Sequence, residues 1–160
     1  MGDSAGEFEI ITATHPWQVQ QARTLILEYA AALGIHLDFQ DFTREMNAFP
    51  ADYAPPGGCL FIATGDHGPG GCAGLRPLTP GVCEMRRLYV RSRHRQQGLG
   101  QRLALAVIAE ARARRYTSMR LDTLPTMHIA IGLYRSLGFQ PAAPSGTSAP
   151  EGALFFELKL

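Results

Sequence analysis

Residues 82–100, VCEMRRLYVRSRHRQQGLG, decide how this chain is read. Val82 to Val90 are rich in β-branched, aromatic and other apolar residues and predict a strand. A polar stretch, Arg91 to Arg95, then leads through Gly98 and Gly100 into a long helical pattern ending near Arg115, with Leu99, Leu103, Val107, Ile108 and Ala111 on one face. Glycines at a strand-to-helix junction let the backbone bend close to a ligand, and the free N–H groups and dipole of the helix start form a seat for a pyrophosphate. Arg91, Arg93, Arg95 and Arg102 add positive charge around it. The plainer reading of these residues is a tight turn flanked by solvated arginines.

Upstream of this stretch the rhythm is that of strands. CLFIATG, a turn at Asp66 to Gly71, CAGLRPL and a turn at Thr79-Pro80-Gly81 precede the Val82 strand, so three consecutive antiparallel strands are expected. Phe8 to Thr12 predicts a further strand. Thr14 is a candidate cap for a helix with Pro16 in its first turn, with Trp17, Ala22, Ile26, Tyr29, Ala30 and Leu33 on one face and Gly34 as its stop. Phe39, Phe42, Met46 and Phe49 mark a second, shorter helix ended by Pro50. Downstream, SMRLDTL predicts a strand, residues 127–137 a helix closed by Gly138, and Phe139-Gln140 and ALFFELKL two last strands around a loop at 141–152. The pattern is α+β, with the strand–helix–strand–helix half expected to be locally parallel.

The chain has 160 residues, room for one compact domain and not two, so residues 1–160 are expected to form a single domain. Charged residues make up 18% against a usual share of about 25%, which excludes a disordered polyelectrolyte. The net charge of +1 hides an asymmetry: residues 1–85 hold three arginines against ten acids, and residues 86–135 hold eleven arginines against two. Six of those eleven fall in residues 86–102, which points to a localised anionic ligand. Cys59, Cys72 and Cys83 lie in apolar, strand-like contexts without a CxxC pair and are expected to be buried thiols, with no metal site. Neither a basic, apolar leader nor an apolar run of about 18 residues is present, so no membrane association and a cytoplasmic location are expected.

Three designs compete for the glycine junction. A P-loop needs a lysine, and none precedes Lys159. A dinucleotide fingerprint is supported by Asp122, about 20 residues beyond the glycines, but its third glycine position is Leu103. The third design is the pyrophosphate loop of acyl-CoA-dependent N-acyltransferases. Leu88-Tyr89-Val90, a polar linker and Arg95-Gln96-Gln97-Gly98-Leu99-Gly100 resemble the cofactor motif of the GNAT superfamily of acetyl-CoA-dependent N-acetyltransferases. A second block, Ala130-x-x-Leu133-Tyr134-x-x-x-Gly138-Phe139, is similar to that family's tyrosine-bearing helix and the strand after it. Together the blocks span residues 84–139.

The resemblance implies a mixed, mostly antiparallel central sheet of six to seven strands flanked by about four helices, with a splayed parallel strand pair holding the cofactor. It implies acetyl-CoA as acetyl donor, bound along Leu88, Tyr89 and Val90 and by the loop of Arg95, Gln96, Gln97, Gly98, Leu99 and Gly100, with the backbone N–H of Val90 meeting the thioester oxygen. Tyr134 is then the acid candidate, since a phenol with pKa near about 10 stays protonated at neutral pH and can donate to the departing sulfur. Glu84 is the base candidate; strand alternation places it on the same face as Leu88, although an ion pair with Arg86 or Arg87, or a water chain as base, explains it equally well. Asp122, beside Arg120, is given no chemistry. One departure stands out: the family often has an asparagine seven residues before the tyrosine, and Met127 occupies that position here. Thr126, His128 or the backbone would have to hold the pantetheine arm instead.

The expected activity is transfer of an acetyl group to a primary amine of a small molecule or protein by direct attack. A non-catalytic acyl-CoA sensor and an NAD(P)-binding protein are the alternatives. Excess acid in the first 85 residues suits a cationic amine, received by residues 17–56, the Asp66 to Gly71 turn and the 141–152 loop. Nucleic acid is disfavoured as a partner, since the arginine cluster lacks interleaved aromatics beyond Tyr89 and a reading helix. The resemblance leaves a homodimer open.

Overall fold

The computed structural model describes residues 7–33, 39–145 and 149–160, residues 39–41 by their backbone. Gly34, the expected stop of the first helix, and the Phe39 side chain lie outside the described residues, as do residues 146–148 of the last loop.

Three antiparallel strands, β2 (Cys59–Gly65), β3 (Gly68–Thr79) and β4 (Val82–Val90), form the centre of the sheet. β1 (Glu9–Thr12) pairs antiparallel with β2. On the other side β4 runs parallel to β5 (Ser118–Thr123). β6 (Gln140–Pro141) and β7 (Leu154–Lys159) complete a seven-stranded sheet in the order β1-β2-β3-β4-β5-β7-β6. The helices are α1 (Pro16–Leu33), α2 (Phe39–Ala48), α3 (Leu99–Ala113) and α4 (His128–Ser136). This is the mixed, mostly antiparallel α+β fold that the resemblance implied. One parallel pair in such a sheet is not the doubly wound parallel scaffold of dinucleotide binding, and Leu103 is fully buried where that fingerprint needs glycine.

The sheet has a core on each face. On one, Cys83, Met85, Met119, Leu121 and Phe156 pack with Leu103, Val107 and Ile108 of α3 and with Phe139. On the other, Leu60, Ile62, Cys72 and Tyr89 pack with Ala22, Leu25 and Ile26 of α1 and Met46 of α2. All three cysteines are buried and free, and burial pushes the thiols of Cys72 and Cys83 up to about 12, out of the range of thiolate chemistry.

The start of α1 departs from expectation. Gln18, in its first turn, bends back so that its Oε1 accepts the N–H groups of Thr14 and His15, both at 3.0 Å. This is the reach-back half of a capping box, and it displaces the Thr14 cap. Trp17, expected inside, is 59% exposed and lies nearly parallel to the His15 ring. The buried stripe instead runs through Gln18, Ala22, Leu25 and Ile26.

Two features of β4 open the sheet on one side and bend it on the other. Its pairing with β5 covers only Val82–Glu84 against Ser118–Arg120, after which the strands part. Further on, Arg86 faces Gly74 while Tyr89 faces Cys72, so β4 carries one residue more than β3 across that interval, a bulge. Arg87 at the bulge has a left-handed φ of 60°, a conformation that costs a non-glycine residue about 1–2 kcal/mol. It is held by its Nε, which donates to Glu45 of α2 at 3.0 Å, and by the Phe42 ring, 5.2 Å from its guanidinium.

Candidate functional site

Gly98 stands at the start of α3 with φ 77°, and a Cβ there would meet nothing within 4 Å. Backbone conformation rather than crowding therefore calls for glycine. No side chain caps this end, and the first N–H taken up by the helix is that of Arg102, bound to Gly98 O at 3.1 Å. The N–H groups of Leu99, Gly100 and Gln101 have no acceptor within the helix and point out of its positive end, as an anion seat requires.

The arginines around the seat are distributed otherwise than the sequence suggested. Arg91 turns to α1, where its Nε and Nη2 donate to Glu28 at 2.9 and 3.0 Å. Arg102 donates to Phe8 O at 2.7 Å, and Arg95 folds back to donate to Val90 O at 2.9 Å. Arg93 stays on the loop with its Nε bonded to His94 Nε2 at 3.2 Å. Arg86 and Arg87 lie elsewhere, in the wall of a cleft between β4 and β5.

Beyond Glu84 the β5-facing edge of β4 has no strand partner. Arg91 N–H binds Gly70 O at 2.9 Å on the β3 side, so strand alternation turns the N–H of Val90 to the open side. The cleft occupies this gap. Met85, Arg86 and Leu88 line it from β4, Asp122 from β5, Met127 and Tyr134 from around α4, and Tyr29 from α1. Tyr134 is 8% exposed, and its ring stands edge-on to Phe139 with centroids 5.8 Å apart. Burial raises its phenol above the ordinary 10, with smaller contributions of the same sign from Tyr29 and Asp122. Tyr29 hydroxyl donates to Met127 Sδ at 3.7 Å, so the methionine in the place of the family's asparagine packs beneath a tyrosine.

Asp122 proves more informative than the sequence implied. Arg120, its suggested partner, is the register neighbour of Glu157 on β7, and its Nη1 meets Glu157 Oε2 at 2.6 Å. Asp122 is left without a hydrogen bond or ion pair to any described residue, and its carboxyl is raised above the ordinary 3.8, by burial first, against the opposing pull of the Arg86 guanidinium.

Glu84 is placed differently from the expectation. The β4 bulge reverses the alternation, so Leu88 packs with Cys83 and Met85 against α3, whereas Glu84 faces the opposite side. There Arg76, its register neighbour on β3, donates through Nε to Glu84 Oε1 at 2.7 Å. The carboxylate is 6% exposed and does not line the cleft. Its ion pair is therefore with Arg76, not Arg86 or Arg87. Glu45 of α2 joins the same group, accepting from Arg87 at 3.0 Å and from the Tyr53 hydroxyl at 3.2 Å.

These pairs also account for part of the charge asymmetry. Glu28, Glu45 and Glu84, all from the acidic first 85 residues, neutralise Arg91, Arg87 and Arg76 within the fold. The cleft itself is lined by two arginines and one aspartate, so the early acids do not make it a cation receptor. Among the described residues no group of three or more His, Cys, Asp or Glu is assembled to hold a metal, and no helix is long and apolar enough to cross a membrane.

The acetyltransferase (GNAT) family model matches residues 20–139 of the chain. An uncharacterized N-acetyltransferase of Schizosaccharomyces pombe is 37% identical over 131 residues, which cover 81% of this chain and 80% of that protein. Among solved structures, a GNAT-family acetyltransferase of Staphylococcus aureus superposes with a TM-score of 0.81 at 19% identity, covering 95% of this chain and 98% of that one. The PaiA N-acetyltransferase of Thermoplasma acidophilum, solved in complex with coenzyme A, superposes with a TM-score of 0.71 at 16% identity, covering 96% and 99%.

Proposed function

The chain belongs to the acetyltransferase (GNAT) family, and from that premise we propose that it moves an acetyl group from acetyl-CoA to a primary amine by direct attack. The observation that carries this reading is the arrangement of three features: the uncapped start of α3 at Gly98, the edge of β4 without a strand partner beyond Glu84, and a cleft lined by Leu88, Tyr134 and Asp122. The residues fit the donor: main-chain N–H groups of Leu99, Gly100 and Gln101 suit its pyrophosphate, and the open side of Leu88 to Val90 suits its pantetheine amides. That a fold relative was solved in complex with coenzyme A supports a CoA-type donor.

Four tasks then fall to named groups. The N–H of Val90 polarises the thioester oxygen and stabilises the charge that grows there. Asp122 takes the proton of the incoming amine, since it faces the cleft without a partner and a raised pKa brings a carboxylate closer to the working pH of a base. Glu84, bound to Arg76, instead ties β3 to β4 ahead of the bulge. Tyr134 offers its hydroxyl to the sulfur. A phenol whose pKa lies above 10 is a weaker acid than a thiol at about 8.5, so the main gain is a hydrogen bond that strengthens as charge develops on sulfur. A cytoplasmic setting, in which three buried thiols stay reduced, fits this chemistry.

Incubation with acetyl-CoA and a panel of primary amines, read as free thiol and as acetylated product by mass spectrometry, tests the proposal. Product from at least one amine is expected. Donor binding without transfer to any of them would favour a sensor of acyl-CoA instead.

A further inference from the structure

Two opposite charges face the cleft from the strands that part around it: Arg86 on β4 and Asp122 on β5. Neither side chain has a hydrogen bond or ion pair to any described residue, and the two do not bridge each other. The other charges of this region are paired, Arg87 with Glu45, Arg76 with Glu84 and Arg120 with Glu157. The Arg86 guanidinium attracts the Asp122 carboxylate, but neither of these half-buried groups has a hydrogen-bonded partner among the described residues, and a ligand carrying both complementary charges supplies one to each. Leu33, Phe42, Leu124 and Met127 give the same wall an apolar side.

We propose that the acceptor is a small amine that also bears a carboxylate, of the class of an apolar amino acid, with Arg86 receiving its carboxylate and Asp122 its ammonium group. The inference rests on the acetyl-transfer reading and narrows its substrate. Asp122 accepts one ammonium proton. The freed nitrogen lone pair forms the bond to the acetyl carbon, and the carbon–sulfur bond breaks with its electrons on sulfur. The second amine proton passes to that sulfur through the Tyr134 hydroxyl, giving amide, free thiol and protonated Asp122, which returns its proton to water. A polyamine, by contrast, would bring a second positive charge against Arg86.

The test compares L-phenylalanine and L-methionine with L-phenylalaninamide, 2-phenylethylamine and spermidine as acceptors, following thiol release from acetyl-CoA. The wild-type kcat/KM for the two carboxylate-bearing acceptors should exceed that for the others by about tenfold or more, the weight of a charge-assisted pair. Arg86→Gln should bring the ratio of phenylalanine to phenylethylamine close to unity, and Arg86→Lys should recover part of it. Wild-type transfer to phenylethylamine, the amide or spermidine as efficient as to the acids overturns the inference while leaving acetyl transfer standing. Failure of acetyl-CoA either to bind or to react overturns both.

Discussion

Glu28 on α1 holds Arg91, the residue directly after β4, through two charge-assisted hydrogen bonds of 2.9 and 3.0 Å, and the same carboxylate accepts the Tyr89 hydroxyl at 2.9 Å. One acid of the N-terminal half thus fixes the end of the strand proposed to hold the donor. The arginine it holds is diverted from the uncapped start of α3, and the acid from any acceptor role.

Glu28→Gln should destabilise the fold at neutral pH by about 1 kcal/mol, the upper range for a partly exposed ion pair with good geometry. The Arg91 hydrogen bonds hold this carboxyl below its ordinary 4.5. Its stabilisation is therefore whole above that pH and is lost as the pH falls through the lower folded-state value. Denaturant titrations of both proteins at several pH values should show the gap closing on acidification; a constant gap contradicts the assignment.

Asp122→Asn should move stability the opposite way. Burial raises this carboxyl above 3.8, so the charged form costs the folded state free energy at neutral pH, and that cost disappears as the pH falls below 3.8. The variant is expected to be more stable than wild type near neutrality, by about 1 kcal/mol, with kcat strongly reduced. In the wild type, kcat should fall on the acid side as Asp122 takes up its proton, at a pH above the ordinary 3.8. A variant that is less stable yet fully active would remove Asp122 from the role of base.

Tyr134→Phe keeps the ring against Phe139 and removes only the hydroxyl. Loss of a positioned proton donor should lower kcat by about 100-fold, with acetyl-CoA affinity retained, because the ring belongs to the core and the proposed phosphate seat lies at the start of α3. Steady-state kinetics with acetyl-CoA as the varied substrate separate the two effects. An unchanged kcat would exclude the phenol.

Gly98→Ala places a Cβ in open space but forces an L-residue to φ 77°, a strain of about 1–2 kcal/mol. The protein should fold, with a modestly lower melting temperature and a raised KM for acetyl-CoA as the helix start relaxes. An unaltered KM would show that the anion seat does not depend on this conformation.

The fold was legible to the extent that periodicity carried it. The glycine turns separated β2, β3 and β4, and Gly98 and Gly138 marked the start of α3 and the end of α4. Tyr134 was singled out by the family resemblance of Ala130, Leu133, Gly138 and Phe139 around it, since the apolar face of its helix would otherwise make it an ordinary core aromatic. What periodicity could not show was the bulge at Arg87, which needs the pairing of β3 with β4 and which moved Leu88 to the face opposite Glu84. Long-range partners were equally hidden: that Arg120 pairs with Glu157, and so leaves Asp122 alone, depends on the register between β5 and β7. Segmental charge located the arginines but not their destinations. Glu28 lies 63 positions from Arg91 and Glu45 lies 42 from Arg87, separations at which composition says nothing about contact.

On the proposed function, Gly98, the open edge of β4 and the cleft together receive an acyl-CoA. Thermal unfolding of the wild type with and without saturating acetyl-CoA, CoA or NADH decides whether they do. At about a hundredfold over its Kd, acetyl-CoA should stabilise the protein by about 2.7 kcal/mol, a rise of about 5–10 °C in Tm for a chain of this size. CoA should act similarly and NADH should have no effect. Stabilisation by NADH with none from either CoA species would contradict the account.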